Sequence, residues 1–317
     1  MAGGVAVRQK DQYDSPWKTL IDKMLPDFLA FFFPMVYKDI NWSRPPEFLD
    51  KELHKIIREA PGGPNIVDKL VKVWLVNDTE IWLLLHIEVQ SQYDSKLDFR
   101  VFGYQVRIWD LHKREVVSLV VLADDREGWK PDRFEYEHWG AGITSRFLVS
   151  KLLEWNERWE ELEQIKNPFA IAVMAHLKTM ETRYNPELRA EWRYRFVRGL
   201  YDGGFAREHV IEMLRFLEWV MVLPPDEEQT FYKRLEGLDK ETKMQWVTSF
   251  EHERMLIDRR EAVIEALEAR FGTISPSLAA ELEGIEDMAT LKRLHRRAIV
   301  GVSKPEELLD EELTAVI

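Results

Sequence analysis

Between residues 66 and 90 the chain reads IVDKLVKVWLVNDTEIWLLLHIEVQ. Two apolar runs flank Asn77-Asp78-Thr79, three residues that favour a turn, and the runs alternate with the two-residue period of a strand. The pattern predicts a β-hairpin, 66–76 and 80–90, in which facing residues have numbers summing to 156. Its odd-numbered face, from Val67 through Val71, Val73, Ile81 and Leu83 to Val89, is apolar except for Lys69. Its even-numbered face carries Asp68, Leu70, Lys72 and Trp74, then Trp82, Leu84, His86, Glu88 and Gln90. This register puts Trp74 opposite Trp82 and Asp68 opposite Glu88, with Gln90 and Lys72 each within one pleat. A slip of one residue would mix the two faces.

The same reading extends along the chain. Residues 15–33 predict a helix, with Ser15 as N-cap, Pro16 in the first turn and Leu20, Met24 and Phe28 at helical spacing. A second helix is expected over 47–59. Residues 97–112 place Leu97, Val101, Tyr104, Ile108 and Leu111 on one stripe, and 114–125 reads as a buried strand ending in a polar loop. A strand or strand-like run follows at 144–153, and from 155 onward nearly every segment predicts helix. The fold class is α/β, with an expected α/β domain at 13–165, a helical region at 166–258 and a small acidic helical unit at 259–317.

Composition narrows the classes. With 45% hydrophobic residues and 12 Trp among 317, the chain can bury a sizeable core. No apolar run reaches the ~18 residues of a membrane span, and the acidic residues before and within FLAFFFPMVY (28–37) argue against a signal peptide. The absence of Cys excludes disulfides, thiolate catalysis and cysteine-type zinc sites, and leads to the expectation of a reducing cytoplasm. The net charge of −12 argues against nucleic-acid binding over the whole surface. Residues 251–317 hold nine Lys/Arg against fifteen Asp/Glu, about half of that charge, so a local basic groove elsewhere stays compatible with it.

Asp68 facing Glu88 has two readings. Both carboxylates can mark the solvent rim of the sheet, or a divalent cation can sit between them, since facing like charges otherwise repel. Carboxylate and water oxygens suit Mg²⁺ or Mn²⁺, which can activate water against a phosphodiester. In that reading Lys72 or Gln90 orients the water or stabilises developing charge.

Asp68 followed twenty residues later by Glu-x-Gln at the end of an apolar strand resembles the core of the PD-(D/E)XK nucleases. The wider text, DKLVKVWL, then LLLHIEVQSQYDSKLDFRVFGYQVRIWDLH, then VVSLVVLADD, is similar to bacterial PD-(D/E)XK nuclease-family transposases, the Rpn-type recombination-promoting nucleases. IEALEARFGTISPSLAAELEGIEDMATLKRLH resembles a small C-terminal domain of unknown function often attached to them. The two stretches cover about 14–155 and 259–313. The resemblance implies a restriction-endonuclease-like core, a mixed sheet flanked by helices, followed by an α-helical region. It implies a Mg²⁺-dependent DNA endonuclease associated with mobile elements or recombination, with Asp68 and Glu88 as metal ligands. Gln90 stands at the third motif position, where the family has Lys. A further acid would be Glu47 or Glu52, and the replacement cation Lys72, Arg100 or Arg107. Arg100 and Arg107 lie seven apart with Tyr104 between, and are expected to meet DNA phosphate or to form a solvated helix face. The runner-up is a nuclease-like fold that no longer cuts and serves as a DNA-binding or protein-interaction module.

Other motifs carry expectations of their own. His86 reads as a core histidine or as a neighbour of the metal site. Residues 134–147, with Glu135, Glu137 and His138, read as a loop. Arg193, Arg195 and Arg198, interleaved with aromatics in WRYRFVRGLY (192–201), read as a DNA contact or as arginines laid over an apolar core. The acidic C-terminal unit is expected to serve in homo-oligomer assembly or in shielding the nuclease groove.

Overall fold

The computed structural model describes residues 16–49, 53, 67–88, 95–242, 246–285 and 287–309. Within them, the side chains of residues 16, 67–68, 85–88, 239–242, 246–254 and 300 lie outside the description. The chain divides into two compact units, 1–231 and 232–317. Residues 166–231 of the expected helical region fall in the same compact unit as the sheet.

In the first unit, helix α1 (Pro16–Phe32) buries Leu20, Met24 and Phe28, the stripe read from its spacing, together with Trp17 and Ile21. It kinks at Met24 (φ −136°, ψ 39°), two residues before Pro26, whose ring excludes a regular turn. A short α2 (Pro34–Asp39) follows. Residues 47–48 form β1 (Glu47–Phe48), where a helix was expected. Then come β2 (Val67–Trp74), β3 (Glu80–Glu88), α3 (Leu97–His112) and β4 (Val116–Leu122). The segment 134–147 is not a loop. It holds β5 (Arg133–His138) and β6 (Ala141–Arg146), a two-stranded hairpin beside β7 (Leu148–Lys151). Its tip, Trp139-Gly140, has φ of 54° and 80°, the paired positive angles of a tight two-residue hairpin turn.

The main sheet has the order β1-β2-β3-β4-β7. β1, β2 and β3 pair antiparallel, whereas β4 and β7 join parallel to β3. Both faces are covered. On the even-numbered face α3 packs Tyr104 and Ile108 against Leu70, Trp82 and Leu84, and Leu97 and Val101 against Val120 and Leu122. On the odd-numbered face Asp22 of α1 binds the Lys69 ammonium at 2.8 Å, so the one polar residue on that face of the β2–β3 hairpin is a neutralised, buried cation.

A 3₁₀ segment (152–158) leads into α4 (Trp159–Gln164), α5 (Pro168–Glu181), α6 (Pro186–Asp202) and α7 (Arg207–Val220). Trp17 meets Phe216 edge-on at 5.0 Å and Phe28 meets Phe169 at 5.4 Å, which ties α1 to α7 and α5. Helix α8 (Pro225–Thr242) contains the boundary between the units. The second unit continues with α9 (Trp246–Phe271), α10 (Pro276–Glu283), α11 (Met288–Val300) and a 3₁₀ turn at Pro305–Leu308. It has its own core of Val263, Leu267, Leu278, Leu282, Leu294 and Ala298. No helix among the described residues is long and apolar enough to cross a membrane.

Candidate functional site

The hairpin turn sets the geometry of the acidic positions. Leu75 N–H donates to Thr79 O at 2.8 Å, and Asp78 N–H donates to Leu75 O at 2.9 Å. Asp78 is left-handed (φ 65°), and Asn77 Oδ1 accepts from Thr79 N–H at 3.0 Å. The loop is therefore Val76-Asn77-Asp78, a three-residue turn closed by a left-handed residue. It sits one residue earlier than the sequence suggested. Facing numbers consequently sum to 154, so Asp68 faces His86, Lys72 faces Trp82 and Trp74 faces Glu80. The expected Trp74–Trp82 and Asp68–Glu88 pairs do not form.

A two-residue offset keeps parity. Asp68, His86 and Glu88 remain at positions of one sheet face, with Glu88 one pleat beyond the residue opposite Asp68. Such diagonal neighbours stand roughly 7–8 Å apart. The side chains of Asp68, His86 and Glu88 lie outside the described residues, as do Gln90 and Glu52 entirely. Among the described residues no group of three or more His, Asp or Glu side chains is disposed to hold a metal ion.

Lys72 does not join this end of the hairpin. It forms an ion pair with Glu47 of β1, its partner in register, and its ammonium lies 5.0 Å from the Trp74 ring centre. Four residues of strand separate it from Asp68, about 13 Å. Glu47 is likewise a strand residue occupied by Lys72, not an acid on a first helix.

Arg100 and Arg107 are half-buried. Tyr104 between them is in the core, so this side of α3 is not a solvated face. Phe102 and Gln105, on the other flank of α3, touch Phe134 of β5 and Ser118 of β4. The flank with the two arginines is consequently turned toward the β2–β3 side of the sheet.

The end of the sheet holds a charged pair, Lys151 and Asp124, that is absent from the expected site residues. Glu88, Leu122 and Lys151 form one row across β3, β4 and β7. Lys151 donates to both oxygens of Asp124 at 2.9 Å and to Trp129 O at 2.9 Å, with side-chain exposures of 1% and 0% for the pair. Asp124 also accepts from Arg126 N–H at 2.9 Å. All three ammonium protons are thus used in closing the loop after β4. The available signal is a charge that interrupts each of two apolar runs, Asp124 after VVSLVVLA and Lys151 within FLVSKLL.

On the other side of the same loop, His176 of α5 donates from Nε2 to Ala123 O at 2.8 Å. A carbonyl only accepts, so the neutral imidazole carries its proton on Nε2. Burial pushes the His176 pKa below its ordinary value, the hydrogen bond opposing the shift more weakly.

The arginines of α6 are spoken for. Arg193 is buried, pairs with Glu228 at 2.8 Å and lies over Phe231 at 4.3 Å, so it cannot meet DNA. Arg195 and Arg198 face Glu191 and Asp202 at 3.8 and 3.6 Å. A cleft at the same end of the sheet, lined by Asp125, Trp159, Lys178 and Glu181, presents no open cation either. Lys178 is held by Glu181 at 2.5 Å, between Trp159 and Trp192 at 4.5 Å each.

No protein-family model matches the chain, and neither does any curated protein or solved structure.

Proposed function

We propose that this protein is a divalent-cation-dependent DNA endonuclease of the PD-(D/E)XK type, acting in recombination or on mobile elements. The observation that carries the reading is the β2–β3 register, which keeps Asp68 and Glu88 on one sheet face, one pleat apart. The strand order supports it: an antiparallel hairpin, a crossover helix and a parallel β4 bring the acidic positions to the carboxyl end of β3 and β4. Ligands of α/β sheets gather at such ends.

The donor set fits a hard cation. Two carboxylates offer oxygen ligands alone and leave positions for water and a phosphoryl oxygen, the preference of Mg²⁺ or Mn²⁺. A bound ion would polarise the phosphoryl oxygen and acidify a water. The chain's own part is to hold two carboxylates at fixed register positions and to exclude bulk water with the α3 layer. Charge near the scissile phosphate would come from Arg100, on the flank of α3 facing β2–β3, rather than from Lys72, which lies about 13 Å along the strand from Asp68.

The test is supercoiled-plasmid cleavage in Mg²⁺ by the wild type, Asp68→Ala and Glu88→Ala. Loss of a hydrogen-bonding neighbour of a bound metal already costs roughly 10–100-fold. Loss of either ligand should therefore lower cleavage by at least about a hundredfold. Equal cleavage by all three proteins would refute the assignment. Manganese binding by calorimetry separates the alternative of a fold that no longer cuts, which Gln90 in the Lys position favours. Tight binding lost in Glu88→Ala, with no cleavage by the wild type, would identify a metal-holding but inactive module.

A further inference from the structure

The β5–β6 hairpin presents a run of aromatic rings that the proposed chemistry does not use. Phe134 stacks on Phe102 of α3 at 4.7 Å and meets Phe99 at 5.7 Å. From Phe134 the run continues to Tyr136 at 6.0 Å, to His138 at 6.4 Å and to Trp139 at 6.1 Å. Strand alternation produces it, because Phe134, Tyr136 and His138 share one face of β5 while Arg133, Glu135 and Glu137 take the other. Ile143 faces Tyr136 across the hairpin. On α3 the strip continues from Phe102 through Val106 to Trp109 at helical spacing.

Much of this surface is open. Trp139 is fully exposed, and Phe99, Trp109 and Tyr136 are 53%, 59% and 48% exposed. At about 150–250 Å² for a whole aromatic side chain, these four alone leave roughly 500 Å² uncovered. Val106 and Ile143, also exposed, extend it toward the ~800 Å² per partner of a stable interface. A bulky residue in the left-handed region costs about 1–2 kcal/mol, and Trp139 adopts it at the hairpin tip while fully exposed.

We infer that this strip is the contact by which a second copy of the chain docks, face to face about a two-fold axis. The charges beside it favour protein over nucleic acid. Lys113, whose ammonium lies 4.9 Å from the centre of the Trp109 ring, is held by the carboxylate of Asp110 at 3.0 Å. A phosphate would have to displace that carboxylate, in a chain of net charge −12. A border that carries both signs can meet its own copy, and a self-complementary patch is what a two-fold dimer needs. The self-association expected of the helical C-terminal part would use different residues.

The experiment is the mass of the full chain in solution, by light scattering from micromolar to sub-millimolar concentration. Trp139→Ser with Tyr136→Ser is compared with Met35→Ser, a control at another exposed apolar residue. Wild type and control should show twice the monomer mass, and the double variant a twofold lower mass with unchanged circular dichroism. A monomeric wild type, or a double variant that stays dimeric, would overturn the inference. Single-stranded oligonucleotide binding in EDTA by a monomeric wild type, lost in the double variant, would overturn it in favour of base stacking. Cleavage by the wild type is read separately, so the nuclease assignment stands or falls on its own.

Discussion

Lys151 and Asp124 show how one buried pair holds the end of the sheet. Both side chains are essentially inaccessible, and every ammonium proton is bonded. Removing one partner leaves the other charged and desolvated. Lys151→Met should therefore cost about 3–5 kcal/mol in urea unfolding, and adding Asp124→Leu should recover part of the loss. Fully additive losses would mean the two residues are not coupled. His176, on the far side of the same loop, makes stability depend on pH. Its folded pKa lies below the ordinary value of about 6.5, so between the two values the unfolded chain holds a proton the folded chain lacks. Its contribution is fully present above pH 6.5 and is lost as pH falls toward the folded value. Unfolding midpoints measured from pH 7.5 to 5 should fall less steeply in His176→Gln than in the wild type.

Among elements, the β2–β3 hairpin decides most. A three-residue loop ending in left-handed Asp78 sets the pairing sum at 154 and so chooses which residue faces Asp68. Asp tolerates that conformation and a β-branched residue does not. Asp78→Gly should leave stability unchanged or slightly raised, whereas Asp78→Val should lose about 1–2 kcal/mol. Thermal denaturation followed by circular dichroism reads both, and a Val variant as stable as the wild type would contradict the turn. The β5–β6 hairpin is illegible in the local pattern for a chemical reason. Its alternation is aromatic against charged, not aliphatic against polar, and its turn is Trp-Gly instead of the usual Asn-Gly.

For the whole molecule, two compact units with separate cores imply more than one cooperative transition. Scanning calorimetry of the full chain should give a calorimetric enthalpy larger than the van't Hoff value. Equality of the two would show that the units unfold as one. Aromatic packing of α1 on α5 and α7 recruits helices far along the chain into the unit that holds the sheet, which runs to residue 231.

Local periodicity alone determined which residues share a face of β2 and β3, the span of α3, the apolar run of β4 and the helical character of the later chain. Period 2 and period 3.6 are written in neighbouring residues and need no distant partner. The Asp68 and Glu88 positions fall on one face for that reason. Tertiary structure decided everything that depends on a partner far away in sequence. Lys69 finds Asp22, Lys72 finds Glu47, Lys151 finds Asp124 and Arg193 finds Glu228. A charge shows its type in the sequence, but whether it is spent on an ion pair or left for a ligand is set by what folding brings beside it. The exact register across the acidic positions belongs to the same class, because one residue's left-handed backbone in the turn shifts the pairing of two whole strands.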